Sequence, residues 1–207
     1  MTAYLKALCI NSWNNSNDMS IYDMSYRTKT YLAGDWDGDK DLIEKLHEWN
    51  DSERLALNFT DVHEFTSSND NSHNCSIKRS LRQRMNLCKT FVLVVGPKTK
   101  SLRSGSCALC GYYKKGLYGI NPYCSLSPCN SIDYRSYVDY ECDMALKDFN
   151  DGKIKNIVVI YNNRLLVDKN LCPDSLKTVG VHIPSDRIGE DGKRYWNYQR
   201  IKDAICK

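Results

Sequence analysis

Thr90-Phe91-Val92-Leu93-Val94-Val95-Gly96-Pro97-Lys98-Thr99 is the stretch that decides the fold class of this chain. An apolar run without polar alternation is the makeup of a strand covered on both faces, as in a parallel sheet between two helical layers. A second segment, Tyr137-Val138-Asp139-Tyr140-Glu141, opens a helix with a carboxylate beside its apolar seam. Val138, Cys142, Ala145 and Phe149 recur at helical spacing, and Ser136 is placed to cap the N-terminus with Asp139 at the third helical position. Capping accounts for Asp139. It does not account for Glu141, which lies beyond the first turn, where the helix dipole has faded, and flanks the buried seam. A carboxylate there needs hydrogen-bond partners or a cleft, so Glu141 is the candidate catalytic residue; the alternative is a surface glutamate paired with a neighbouring Arg or Lys.

Working outward, short apolar runs alternate with helical patterns from residue 28 onward, the signature of a doubly wound α/β sheet. The expected strands are 28–34, 55–60, 90–96, 156–161 and 179–183, five in all. The first helix is expected near Asp39 with Leu42, Leu46 and Trp49 on one face. The next carries Ile77, Leu81, Met85 and Cys88 as its buried stripe, leaving Lys78, Arg79, Arg82 and Arg84 as a basic face, solvated on the favoured reading and attracting a pyrophosphate or RNA on the alternative. A last helix is expected over 193–206, packing through Trp196, Ile201 and Ile205. Residues 1–27, rich in Asn, Ser, Asp and Tyr without a sustained period, read as an N-terminal extension of a single domain over 28–207.

With 207 residues and a formal net charge of +4, composition does not direct the chain to nucleic acid or membrane, and no segment reads as a signal peptide or membrane span. The expected location is the cytoplasm. There, ten cysteines read as buried thiols or metal ligands before disulfides. Cys107 and Cys110 form a Cys-x-x-Cys pair, and Cys124 and Cys129 follow within the same Gly-, Tyr- and Ser-rich stretch. Four cysteines can close a tetrahedral structural zinc site, with disulfides or uncoordinated thiols as the other outcomes. The run from Asp35 to Asp41 is not an EF-hand, because its sixth and twelfth positions hold Lys40 and Leu46.

Tyr31-Leu32-Ala33-Gly34-Asp35-Trp36-Asp37, the 91–99 strand and turn with its Val-Gly-x-x-Thr end, and Tyr137-Val138-Asp139-Tyr140-Glu141, in that order, resemble the TIR-like proteins of the bacterial Thoeris antiphage system. The resemblance covers roughly 27–162 and implies a flavodoxin-like, five-stranded TIR-like fold. Residues 101–135 then form a cysteine-rich insertion where such proteins have a short loop. It also implies cleavage of NAD+ between nicotinamide and ribose to make a nucleotide signal, with Glu141 as the catalytic residue. Substrate contacts are expected from Ala33, Gly34, Asp35 and Trp36 at the first strand end, from Asp61 and His63 in the loop after the second strand, and from Tyr137. Self-association, a phage-derived trigger and a downstream effector reached through the diffusible product are the implied partners. Two other readings stay open: a non-enzymatic TIR-like module that signals by self-association, and a nucleoside deoxyribosyltransferase-like enzyme.

Overall fold

The computed structural model describes residues 29–55, 57, 59, 73–119, 121–125 and 131–206. The expected N-terminal extension, along with Asp61, His63 and Cys129, lies outside them. In chain order the elements are β1 (Lys29–Ala33), α1 (Lys40–Asp51), α2 (Asn74–Met85), β2 (Cys88–Val95), β3 (Tyr113–Lys114), β4 (Tyr123–Cys124) and α3 (Tyr137–Asn150). There follow β5 (Asn156–Tyr161), β6 (Val181–Pro184), β7 (Asp186–Ile188), β8 (Arg194–Trp196) and α4 (Tyr198–Ile205). Strands β1, β2, β5 and β6 form a parallel sheet in the order β1-β2-β5-β6.

Both faces of that sheet are covered, which is why its central strands run apolar without alternation over Phe91–Val95 and Ile157–Tyr161. Phe91, Leu93 and Val95 of β2 join Ile157, Val159 and Tyr161 of β5 in a core shared with Leu81 and Met85 of α2 and Val138, Cys142 and Ala145 of α3. The alternate residues Val92, Val94, Val158 and Ile160 point the other way, onto Leu42, Leu46 and Trp49 of α1 and Ile201 and Ile205 of α4. The period of two in the strands thus feeds two separate cores.

Three expectations need correction. The strand expected over 55–60 is absent from the ladder among the described residues. Leu57 and Phe59 are nevertheless buried against α1, and the Phe59 N–H is held by Asn50 Oδ1 at 2.9 Å. The helix expected over 193–206 is shorter, because Arg194–Trp196 instead pairs antiparallel with Asp186–Ile188. The chain reverses at Gly192, whose φ of +75° suits glycine. The basic side of α2 is only partly solvated: Lys78 is buried, donating to Arg135 O at 2.8 Å and standing 3.2 Å from Asp133, and Arg82 pairs with the buried Asp148 at 2.9 Å. Lys78, Leu81 and Met85 are spaced i, i+3, i+7, so this lysine shares the buried stripe.

The carboxyl ends of β1, β2 and β5 are tied together by one side chain. Asp39 stands at the N-cap position of α1 but does not cap it. Its carboxylate is buried and accepts from Asn162 Nδ2 at 3.0 Å, just past the end of β5. Gly96, just past β2, makes this possible, since a Cβ there would lie 2.0 Å from Asp39 Oδ1. Thr99 completes the turn, its hydroxyl accepting the Gly96 N–H at 2.8 Å. The Val-Gly-x-x-Thr pattern therefore has a packing reason at both of its fixed positions.

Burial pushes the Asp39 carboxyl above its ordinary value, against the pull of the Asn162 hydrogen bond, and neighbouring Asp35 and Asp41 push it the same way. A carboxyl raised by folding binds its proton more tightly in the native state. Its contribution is therefore most favourable below the unfolded value of about 4 and is lost as pH rises through the higher folded value. Asp39→Asn should accordingly gain stability relative to wild type as pH is raised from about 4 towards neutrality, read from urea midpoints across pH. Gly96→Ala is expected to cost about 2–4 kcal/mol in the same measurement, since it must displace Asp39 from Asn162. A change below about 0.5 kcal/mol would show that the junction has slack.

Candidate functional site

The loop leaving β1 cannot fold back over the sheet, because Asp39 pins its far end. Gly34, Asp35, Trp36 and Asp37 are held instead at the rim of a cavity of about 360 Å³. Ile77, Leu81 and Arg84 of α2 form one wall, Leu102 and Ser104 a second, and Ser136, Tyr137, Val138 and Glu141 at the start of α3 a third. This size lies within the range of small-molecule sites, roughly 300–1,000 Å³. The position, beyond the carboxyl ends of parallel strands, is where open α/β sheets bind ligands.

Ser136 caps α3 as its sequence predicts, accepting the Asp139 N–H at 3.0 Å and donating to Asp139 Oδ2 at 2.8 Å. The helix that follows carries Glu141 inward. It is 3 % exposed, and its Oε1 accepts a hydrogen bond from the Tyr31 hydroxyl at 2.5 Å. Tyr31 lies in β1, fully buried, with its ring stacked on Phe91 at a centroid separation of 5.7 Å. Burial pushes the Tyr31 hydroxyl well above its ordinary value, and the adjacent Glu141 charge pushes it further. Tyr31 therefore stays a proton donor to the carboxylate at any physiological pH.

Of the expected site residues, Gly34, Asp35, Trp36, Tyr137 and Glu141 are brought to one cavity. Ala33 is not among its lining; it is buried in the core shared with α2 and α3.

One residue of the site has no signal in the sequence, and a second has only a partial one. The first is Tyr31, whose place in a strand gives no sign that its hydroxyl reaches across to α3. The second is Arg84, on a basic face that the sequence reads as solvated before it reads it as a pyrophosphate or RNA contact. Ile77, Leu81 and Arg84 are spaced i, i+4, i+7, so the cavity wall was legible as a stripe that ends in a cation. The Arg84 Nε is buried with no hydrogen-bond partner among the described residues, while its Nη2 donates to Ser80 Oγ at 3.2 Å.

A four-stranded parallel sheet with helices on both faces, and a cleft at its strand ends into which α3 presents a buried glutamate, are compatible with a TIR-like α/β fold. A comparison with protein families agrees: residues 12–104 match the family described as Thoeris protein ThsB, TIR-like domain. The match bears out the resemblance read from the residues, over a region just short of half the chain. It takes in β1, α1, α2 and β2 and ends before the helix that carries Glu141. No curated protein matches the chain. No helix among the described residues is long and apolar enough to cross a membrane.

Burying a carboxylate costs several kcal/mol of desolvation even where it is paired, and replacing a buried ionised group by a neutral one of the same shape is often neutral or stabilising. Glu141→Gln, which keeps the shape and an acceptor for Tyr31, should leave the thermal midpoint unchanged or raise it. A large fall in the midpoint, checked by calorimetry, would mark Glu141 as a structural residue instead.

Proposed function

We propose that the protein is an NAD+-cleaving enzyme of the glycohydrolase or ADP-ribosyl cyclase type, making a nucleotide signal in antiphage defence, with Glu141 as its catalytic residue. The observation that carries this reading is the Glu141 carboxylate itself, buried at the wall of a cavity at the strand ends and oriented by the Tyr31 hydroxyl.

The reaction asks little else of the protein. The bond between ribose C1′ and the pyridinium nitrogen breaks with its electron pair going to nitrogen, so nicotinamide leaves neutral and needs no proton. Positive charge develops on the ribose ring, and an ionised carboxylate beside it stabilises that charge and accepts hydrogen bonds from the ribose hydroxyls. Water, or a nucleophilic atom of the same nucleotide, then bonds to C1′. Tyr31 is a positioning residue in this scheme: its hydroxyl fixes one oxygen of the Glu141 carboxylate. Arg84 is suited to the pyrophosphate, as a cation with a buried N–H on the same wall. Trp36 and Tyr137 offer flat apolar surface for the rings.

Incubating the purified protein with NAD+, with and without phage lysate, and following nicotinamide by mass spectrometry tests the reading. Glu141→Gln should lower release by at least about 10³-fold, the scale of losing a principal electrostatic stabiliser. Arg84→Ala should raise KM about tenfold with a smaller effect on kcat, as expected for lost ground-state binding. Equal turnover by wild type and Glu141→Gln would reject the assignment. Cleavage of deoxyribonucleosides in preference to NAD+ would favour a deoxyribosyltransferase-like enzyme.

A further inference from the structure

Four cysteines meet behind the cavity wall. Cys75 is the second residue of α2, and Cys107 opens a short 3-10 turn that the Ser106 side chain caps. Cys110 closes that turn, its N–H bonded to Cys107 O at 3.0 Å. Cys124 ends β4, directly opposite Tyr113 in the β3–β4 hairpin. All four line one small hollow of about 10 Å³, room for about one atom, and no carboxylate or imidazole shares its lining among the described residues. All four are reduced thiols.

We propose that Cys75, Cys107, Cys110 and Cys124 bind a structural zinc ion. The set differs from the one expected along the sequence, since its fourth member comes from α2, more than thirty positions earlier, and not from Cys129. The chemistry of the donors selects the metal: four thiolates in a closed site suit tetrahedral zinc and leave no position open for a substrate. Cys-x-x-Cys across a tight turn, followed by a hairpin bearing the next ligand, is a common half of such sites. Among the described residues the sulfurs surround the hollow without converging into a metal-holding group. Each sulfur can turn about its own Cα–Cβ bond, the motion by which the set would close to Zn–S distances of about 2.3 Å. On binding, the four thiols give up their protons and the ion takes four sulfur electron pairs.

The frame around the hollow is already rigid. Asn74 Nδ2 donates to Ser106 O at 2.9 Å, and its Oδ1 accepts from the Tyr137 hydroxyl at 2.9 Å. Cys107 Sγ accepts the Asp133 N–H at 3.3 Å, and the Cys107 N–H donates to Asp133 O at 2.9 Å. Zinc here would fasten the segment between β2 and α3 to α2 at the back of the wall that holds Tyr137.

The full-length protein, purified without chelator, should hold about one zinc per chain by plasma mass spectrometry. Cys75→Ser and Cys110→Ser should each lose it, and Cys129→Ser should keep it. Because a ligand variant could also lose metal by unfolding, wild-type protein stripped of metal and reloaded with Co2+ provides a second measurement. It should show the sulfur-to-cobalt charge-transfer and visible bands of a tetrahedral four-thiolate site. Absence of both zinc and the cobalt bands would overturn the proposal, as would zinc that survives in Cys75→Ser and is lost in Cys129→Ser. Neither result bears on Glu141, so failure here and failure of the NAD+ reading are separable.

Discussion

The site depends on one contact, the Asp39 carboxylate lying against the bare Cα of Gly96 with Asn162 donating to it. Parallel strands end in loops that have no ladder of their own, and something must fix those loops if they are to present side chains reproducibly. Here three strand ends share one buried polar group. Burial of that group is unfavourable by itself, as its raised protonation equilibrium indicates, and it persists because the hydrogen bond from Asn162 is available only in this arrangement. The consequence is local order at Gly34 to Asp37, the rim from which the cavity is entered.

From that rim the next link is the hydrogen bond between β1 and α3. Tyr31 is immobilised by its stacking on Phe91, so its hydroxyl is a fixed point in the sheet and not a swinging side chain. Glu141 meets it from a helix whose start is fixed independently by Ser136. Two rigid elements thus position one carboxylate. That is the arrangement a catalytic group needs, because a small displacement of a charge from the reacting atom forfeits much of its effect.

Legibility in the sequence followed from how many constraints each segment carries. The strands at 90–96 and 156–161 were readable because burial on both faces leaves 91–95 and 157–161 without a charged or amide side chain. α3 was readable because its cap and its seam agree. Trp196 was misplaced because an apolar residue ahead of Ile201 suits a helix as well as a strand edge. The Asp191-Gly192 pair just before it was the better signal, marking the reversal between β7 and β8. Lys78 and Arg84 read first as solvated for a different reason. Charge suggests solvent, but the long stems of both residues let them sit on an apolar stripe while the head finds a carbonyl or a cavity. Their spacing from Leu81 held the information that their charge obscured. Cys75 could not be grouped with Cys107, Cys110 and Cys124 from sequence at all, because only the packing of α2 against the segment before α3 brings them together.

α2 is consequently the element on which the separate features converge. One of its stripes supplies Leu81 and Met85 to the core, and an adjoining one supplies Ile77, Leu81 and Arg84 to the cavity. Its first turn supplies Cys75 to the thiol hollow, and Arg82 and Lys78 tie it to α3 and to the chain just before α3. A twelve-residue helix has about three turns, so these roles must share faces. Its own composition is poorly suited to independent stability: its mean apolar content is low and its first turn lacks an acidic residue to complement the dipole. The helix is held by what it touches. Any interaction that fastens its first turn, as a metal at Cys75 would, therefore acts on the cavity wall two turns further along, where Arg84 stands.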